Sequence, residues 1–251
     1  MTYCIFCFCD NYVFLYFINA SHKMKNYPVE CQHCFFRMTL CKTLSRREFK
    51  ALYKMTKQRV FQKGEVIFKQ GEKTEFLVFL KKGMAKLVYN NHGKDLILSI
   101  DKAQSLLGLS NILNENINFS SIVAIEDSCG CIIDIDIFKK TMLSNRQFMF
   151  EVMVISMRLF RSSVFNFINI AHKQSNGRIA DMLIFLSENI YQNRSFQLTL
   201  SRQELSEFAG CSKELIIRTL QNFCSDGIIS ISGKKVEILD IERLFLISKT
   251  G

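Results

Sequence analysis

The sequence predicts an α+β chain in three parts: an antiparallel β-roll, a long helix, and a carboxyl-terminal unit of short helices closed by a β-hairpin. Three observations carry that expectation. Short runs of β-forming residues punctuated by glycine fill residues 59–136, a stretch without helix breakers covers residues 146–171, and two capped helical segments meet at a tight turn around Gly210.

Residues 3–20 are apolar, but no basic stretch precedes them, Asp10 and Asn11 interrupt them, and no small-residue cleavage site follows. Neither a signal peptide nor a membrane span is therefore expected. Met24 heads a segment that makes a sensible start, and Cys4, Cys7 and Cys9 ahead of it are assigned no role.

Further on, Ser45-Arg-Arg-Glu48 has the form of a capping box, in which serine hydroxyl and glutamate carboxylate each satisfy a backbone N–H left bare at a helix start. The helix it opens is expected to cover one end of the roll. Val60-Phe61, Val66 to Phe68, Phe76 to Leu80, Ala85 to Tyr89 and Leu96 to Ile100 are expected strands, parted by turns at Gly64, Gly71, Gly83 and Gly93. The last strand of the roll is expected to reach Asp136, with Ile133, Ile135 and Ile137 inward and Asp134 and Asp136 outward.

In the helical stretch Met153, Met157, Phe160, Val164, Phe167 and Ala171 recur at alternating spacings of four and three, the a/d seam of a two-stranded coiled coil. Val152, Ile155 and Leu159 form a second apolar line suited to packing on the roll. Two apolar faces call for two partners, so a homodimer is expected.

Ser201-Arg-Gln-Glu204 is a second capping box, Ala209-Gly210-Cys211 a tight turn, and Ser212 the cap of another helix. On that helix Glu214 and Arg218 leave one face, while Leu215, Ile216, Leu220 and Phe223 remain to anchor it. Ile229 and Ile231 alternate with serines, Gly233-Lys234 supplies a turn, and Val236 and Ile238 alternate on the return. Together these make a winged helix-turn-helix, whose polar face can read base edges. The plainer reading is an αα-hairpin whose Glu and Arg only solvate a surface.

With 251 residues, 48% hydrophobic and 22% charged, the chain is globular and long enough for two domains with separate cores. Its net charge of +10 is uneven: residues 173–251 hold ten Lys/Arg against nine Asp/Glu, and the remainder twenty-three against fourteen. Binding to a polyanion by the carboxyl-terminal unit must therefore rest on the local grouping of Arg202, Lys213, Arg218, Lys234 and Lys235. Ten cysteines without a secretion signal point to a reducing compartment, the cytoplasm, and to metal or redox chemistry rather than disulfides. No P-loop, nucleophile elbow or metalloprotease motif is present, so an enzyme is not expected.

Lys63-Gly-Glu65 with Gly71-Glu72, Gly83, and Gly210 through Arg218 are stretches in which the chain resembles the Crp/Fnr family of bacterial transcription regulators. The resemblance covers the chain from residue 31 to its end and is closer to the Fnr-like branch than to the cyclic-AMP-binding members. It implies a cyclic-nucleotide-binding-like jelly roll, a homodimer, RNA polymerase as a partner, and a palindromic operator with half-sites about 34 Å apart. The family's Glu-x-x-x-Arg pair stands here as Glu214 and Arg218. Arg218 can donate twice to guanine and Glu214 can accept from cytosine N4, while Lys213, Arg202 and Lys234 are expected nearer the phosphates and Ser212 completes the expected DNA-binding set.

At the positions where cyclic-AMP-binding members carry a Glu and an Arg, this sequence has Leu109 and Phe119, so cyclic AMP is not the expected ligand. Cys31-Gln-His-Cys34 with Cys41 resembles the amino-terminal cysteines that hold a [4Fe-4S] cluster in the Fnr branch, and Ala124 to Cys131 places Cys131 at the fourth position, with Cys129 a close substitute. The gap between Cys34 and Cys41 is one residue longer than the Fnr pattern. Zinc, a thiol switch, or no metal remain open, as does haem through His92 or His172.

The expected organisation is a leader over residues 1–30, a β-roll sensor with its Cys motif over 31–145, a dimerisation helix over 146–172 and a DNA-binding winged helix-turn-helix over 173–251. Two other functions stay open. One is a ligand- or metal-binding module whose helix-turn-helix serves protein contacts; the other is a Crp-like regulator answering an unidentified small molecule.

Overall fold

Among the residues that the computed structural model describes, 35–54, 56–112 and 117–251, the chain runs through a β-roll, a long helix and a carboxyl-terminal unit in the expected order. The expected leader, the apolar stretch 3–20, Met24, Cys31 and Cys34 lie outside the described residues. Two short helices come first, α1 (Phe35–Met38) and α2 (Arg46–Lys54). The capping box opens α2 as expected: Ser45 Oγ accepts from the Glu48 N–H at 3.2 Å, and Glu48 Oε2 accepts from the Ser45 N–H at 2.8 Å.

The roll consists of two antiparallel sheets. One is ordered β1 (Lys57–Phe61), β8 (Ser128–Asp134), β3 (Phe76–Lys82), β6 (Leu106–Leu107); the other β2 (Val66–Phe68), β7 (Ser121–Ala124), β4 (Met84–Asn91), β5 (Lys94–Lys102). All four predicted turn glycines have positive φ. Gly83 is the most constrained, because a Cβ there would come within 2.1 Å of Ser128 Oγ. Phe61, Phe68, Val78, Leu80 and Ile122 pack together in one cluster of the roll. Leu77 and Phe79 belong instead to a second cluster with Phe36, Leu44, Phe49 and Leu52 of the amino-terminal helices. Since β3 is buried on both faces, its sequence is an unbroken apolar run rather than an alternation.

The expected strand to Asp136 is corrected. β8 stops at Asp134, and α3 (Ile135–Ser144) begins there. Asp134 Oδ1 accepts from the N–H groups of Asp136 and Ile137 at 3.0 and 2.9 Å, so the aspartate caps a helix instead of facing out from a sheet. Over so few residues an Ile-Asp alternation fits either element, and the cap decides.

Asn145 caps α4 (Arg146–His172), its Oδ1 accepting from the Phe148 N–H at 2.9 Å. Phe148 and Val152 are buried in the second cluster and Ile155 packs against it, but Leu159 is 43% exposed. The second apolar line therefore ends at Ile155, one turn earlier than expected.

Then follow α5 (Ser175–Phe185), a π-helical turn (Leu186–Ile190), β9 (Ser195–Gln197), α6 (Arg202–Ala209), α7 (Lys213–Ser225), β10 (Ile229–Ser232), β11 (Lys235–Ile238) and α8 (Ile241–Thr250). The roll and the carboxyl-terminal unit share part of their apolar packing. One continuous cluster joins Met84, Val88, Ile97 and Ile100 of the roll to Ile179, Leu205, Ile216 and Leu220 of the carboxyl-terminal unit, so apolar side chains of β4 and β5 take part in docking it.

Candidate nucleic-acid interface

Local chemistry sets the α6-turn-α7 geometry. Ser201 Oγ accepts from the Glu204 N–H at 3.2 Å and Glu204 Oε2 from the Ser201 N–H at 2.7 Å, completing the predicted box. Gly210 ends α6 with φ of 61°, a conformation that disfavours a side chain, and lies against Ile170 near the end of α4. Ser212 Oγ then accepts from the Leu215 N–H at 3.2 Å and starts α7. Ile216, Leu220 and Phe223 are buried, Leu215 is half-buried, and Thr219 donates to Asn176 Oδ1 at 3.1 Å, tying α7 to α5.

The opposite face of α7 is open, with Lys213, Glu214 and Arg218 all exposed beside the exposed cap Ser212. Glu214 has its carboxyl held below the usual carboxylate range by its own backbone N–H and by Ser212, which keeps it an acceptor. The wing pairs Ile229 with Ile238 and Ile231 with Val236, and Lys234 stands exposed at its turn. Arg202 differs from expectation: it is half-buried, and one guanidinium nitrogen is buried with no hydrogen-bond partner. Ile217, which sequence reasoning passed over, is 39% exposed on this same face. Spacing from Lys213 and Gln221 could have revealed it, since all three recur every four residues.

On α4 Met153, Met157, Phe160, Val164 and Phe167 are between 39% and 70% exposed, an apolar stripe left uncovered among the described residues.

In the roll, Cys41 and Cys131 are both buried in the second cluster. The Cys41 N–H donates to the Phe36 carbonyl at 3.0 Å, the Phe36 ring lies 4.7 Å from that of Phe79, and Phe79 is the cross-strand neighbour of Cys131. Two of the four expected thiols, Cys41 and Cys131, thus share one apolar cluster. Soft thiolates in such a site fit an iron-sulfur cluster or zinc by donor type. Cys129, half-buried, has its thiol pushed up by burial, with Lys81 and Lys82 opposing. Among the described residues no group of three His, Cys, Asp or Glu side chains is arranged to hold a metal. His92 is exposed in the turn between β4 and β5, and His172 is exposed at the end of α4.

Leu109 is buried, whereas Phe119 is 63% exposed and stacked on Tyr89 at 5.0 Å. Nearby, the buried polar groups satisfy one another: Asn118 Oδ1 accepts from the Thr74 hydroxyl and, at 2.7 Å, from Asn111 Nδ2. No carboxylate-and-guanidinium pair stands at Leu109 and Phe119 to take a cyclic phosphate.

Residues 58–145 match the cyclic nucleotide-binding domain family, and residues 177–246 the Crp-like helix-turn-helix domain family. The chain is 26% identical over 217 residues to the transcriptional activator protein Anr of Pseudomonas protegens, covering 84% of this chain and 88% of that one. It is 25% identical over 226 residues to the fumarate and nitrate reduction regulatory protein of Yersinia pestis, covering 87% and 90%. Its fold overlies that of FixK2 from Bradyrhizobium japonicum with a TM-score of 0.73 at 16% identity, over 78% of this chain and 99% of the other. A Crp/Fnr-family regulator from Eubacterium rectale gives 0.71 at 20% identity, over 84% and 98%. The named relatives are transcription regulators, not enzymes. By these matches and the order of its parts, the chain belongs to the Crp/Fnr family of DNA-binding transcription regulators, with affinity to its Fnr and Anr members.

Proposed function

We propose that the chain acts in the cytoplasm as a homodimer that binds a palindromic operator and answers redox state, oxygen or nitric oxide through a cysteine-ligated centre. The observation that carries this reading is the open polar face of α7, anchored from behind by Ile216, Leu220 and Phe223 and flanked by the wing lysine Lys234. Arg218 suits guanine O6 and N7 by its two-pronged donors, and Glu214, kept ionised, suits cytosine N4. Ser212, Lys213 and Lys234 suit phosphates, which position without specifying; Arg202 would join them only on turning outward. The apolar stripe of α4 supports pairing with a second copy, and twofold symmetry of the protein implies twofold symmetry of the site. RNA polymerase is the further partner that family membership implies.

For the input, Cys31, Cys34, Cys41 and Cys131 are the residues that would hold a [4Fe-4S] cluster, which when bound supplies oxygen- and nitric-oxide-sensitive chemistry. Cys41 shares its apolar cluster with Phe148 and Val152 at the start of α4. A shift of the Cys41 segment is therefore felt where the dimer helix leaves the roll, and biases two states only by the difference in contacts between them. Names such as "anaerobic regulatory protein" among the relatives are in keeping with this input.

The test is duplex binding by the full chain. A selected palindrome should be preferred over random duplex, with affinity falling steeply as salt rises, and Arg218→Ala should lose about 1–3 kcal/mol of that preference while retaining non-specific binding. Equal, salt-insensitive binding to all duplexes would leave the helix-turn-helix as a protein-contact module instead.

A further inference from the structure

Ile217 stands apart among the apolar residues of α7. Ile216, Leu220 and Phe223 are buried at 4% exposure or less, whereas Ile217 is 39% exposed and belongs to none of the packed clusters. A helix turns about 100° per residue, so Ile217 lies one turn from Lys213 and from Gln221, three residues from Glu214, and beside Arg218. All four of those neighbours are exposed and polar. The isoleucine thus sits within the face read above as the DNA-reading one, where a β-branched side chain gains nothing from helix propensity and nothing from the core.

The major groove offers an apolar side chain only one apolar group, the C5-methyl of thymine. Set against cytosine, Ile217 would cover the N4 amino group without giving it an acceptor, and set against guanine it would cover O6 and N7 without a donor. We propose that Ile217 is a specificity-determining residue that reads a thymine methyl, so that each half-site carries an obligatory T·A pair next to those contacted by Glu214 and Arg218. The inference rests on the reading of α7 as the groove-entering helix and adds the identity of one base pair to it.

The experiment starts from duplexes selected out of a random library by the full-length protein. Each thymine of the selected half-site is then replaced in turn by deoxyuridine, which deletes the methyl and leaves base pairing intact. At one thymine, binding should weaken roughly fourfold for each half-site substituted, the size of one methyl withdrawn from an apolar contact. Ile217→Ala should bind the thymine and deoxyuridine duplexes alike; because the side chain lies outside the core, its thermal unfolding should match the parent.

Three results would overturn the inference: a selected half-site without thymine, indifference of the parent protein to every deoxyuridine, or methyl dependence that survives in Ile217→Ala. A protein that selects no sequence at all removes the reading of α7 beneath it, and is told apart from those three by the failed selection itself.

Discussion

Cys131 is 5% exposed and faces Phe79 across the sheet, while Cys129, two residues earlier on the same strand, is half-buried, with Lys82 as its cross-strand neighbour. Cys131 belongs to the same apolar cluster as Cys41 whereas Cys129 does not, so Cys131 is the better placed of the two to share a centre with Cys41. Cys131→Ala should therefore bring the iron and acid-labile sulfide of anaerobically purified protein to background, at a cost in stability of about 1 kcal/mol, whereas Cys129→Ala should keep both. Iron and sulfide undiminished in Cys131→Ala would strike that residue from the ligand set. At this scale the sequence was readable wherever a side chain's partner is a near neighbour. Ser45 with Glu48 and Ser201 with Glu204 could be paired from their letters alone. Asp134 could not, since the same Ile-Asp alternation fits a strand edge and a helix cap. Ile217 could be separated from the buried Ile216 only by its four-residue spacing from Lys213 and Gln221, a weaker signal than a cap.

Among elements, α4 carries the proposed pairing with a second copy. Its 27 residues span about 40 Å, and the cluster beneath the roll covers them only as far as Ile155. Beyond that point the apolar residues of the stripe stay exposed among the described residues; their heptad spacing was visible in the sequence, whereas the early end of the second line depends on where the roll stops. A charge in the middle of the stripe tests the pairing. Phe160→Glu would place two carboxylates in the shared apolar seam, where desolvation and mutual repulsion both oppose pairing. Sedimentation should show a monomer, and affinity for a palindrome should drop on the order of a hundredfold, the loss expected when two linked half-site contacts become independent. A variant that stays dimeric would move the interface off this face of α4. Since Phe160 is 63% exposed, the fold of each chain should survive the change.

Across the whole molecule, the carboxyl-terminal unit is docked onto the roll. Lys86 of β4 and Glu204 of α6, 118 residues apart in sequence, pair at 2.8 Å with only 15% and 22% of their side chains exposed. The same carboxylate that closes the capping box of α6 thus also holds the sensor sheet. The sequence hid this contact because Glu204 already had a local role as a cap, and nothing in the expected strand Ala85 to Tyr89 linked Lys86 to a residue 118 positions away. Burial raises the proton affinity of Glu204, but Lys86 and the Ser201 backbone and hydroxyl outweigh it, and the net shift is downward. A carboxyl lowered in this way contributes stability above its ordinary range near pH 4.5 and loses it as the pH falls through the folded value. Lys86→Met should consequently cost about 1–3 kcal/mol at neutral pH, by leaving a half-buried carboxylate short of one partner. Hydrogen exchange should report faster opening of α6 and β4 together in the variant, and the stability difference from the parent should shrink as the solution is acidified. Protection of α6 that is unchanged in Lys86→Met would mean that the apolar contacts of β4 and β5 hold the two parts together without the ion pair.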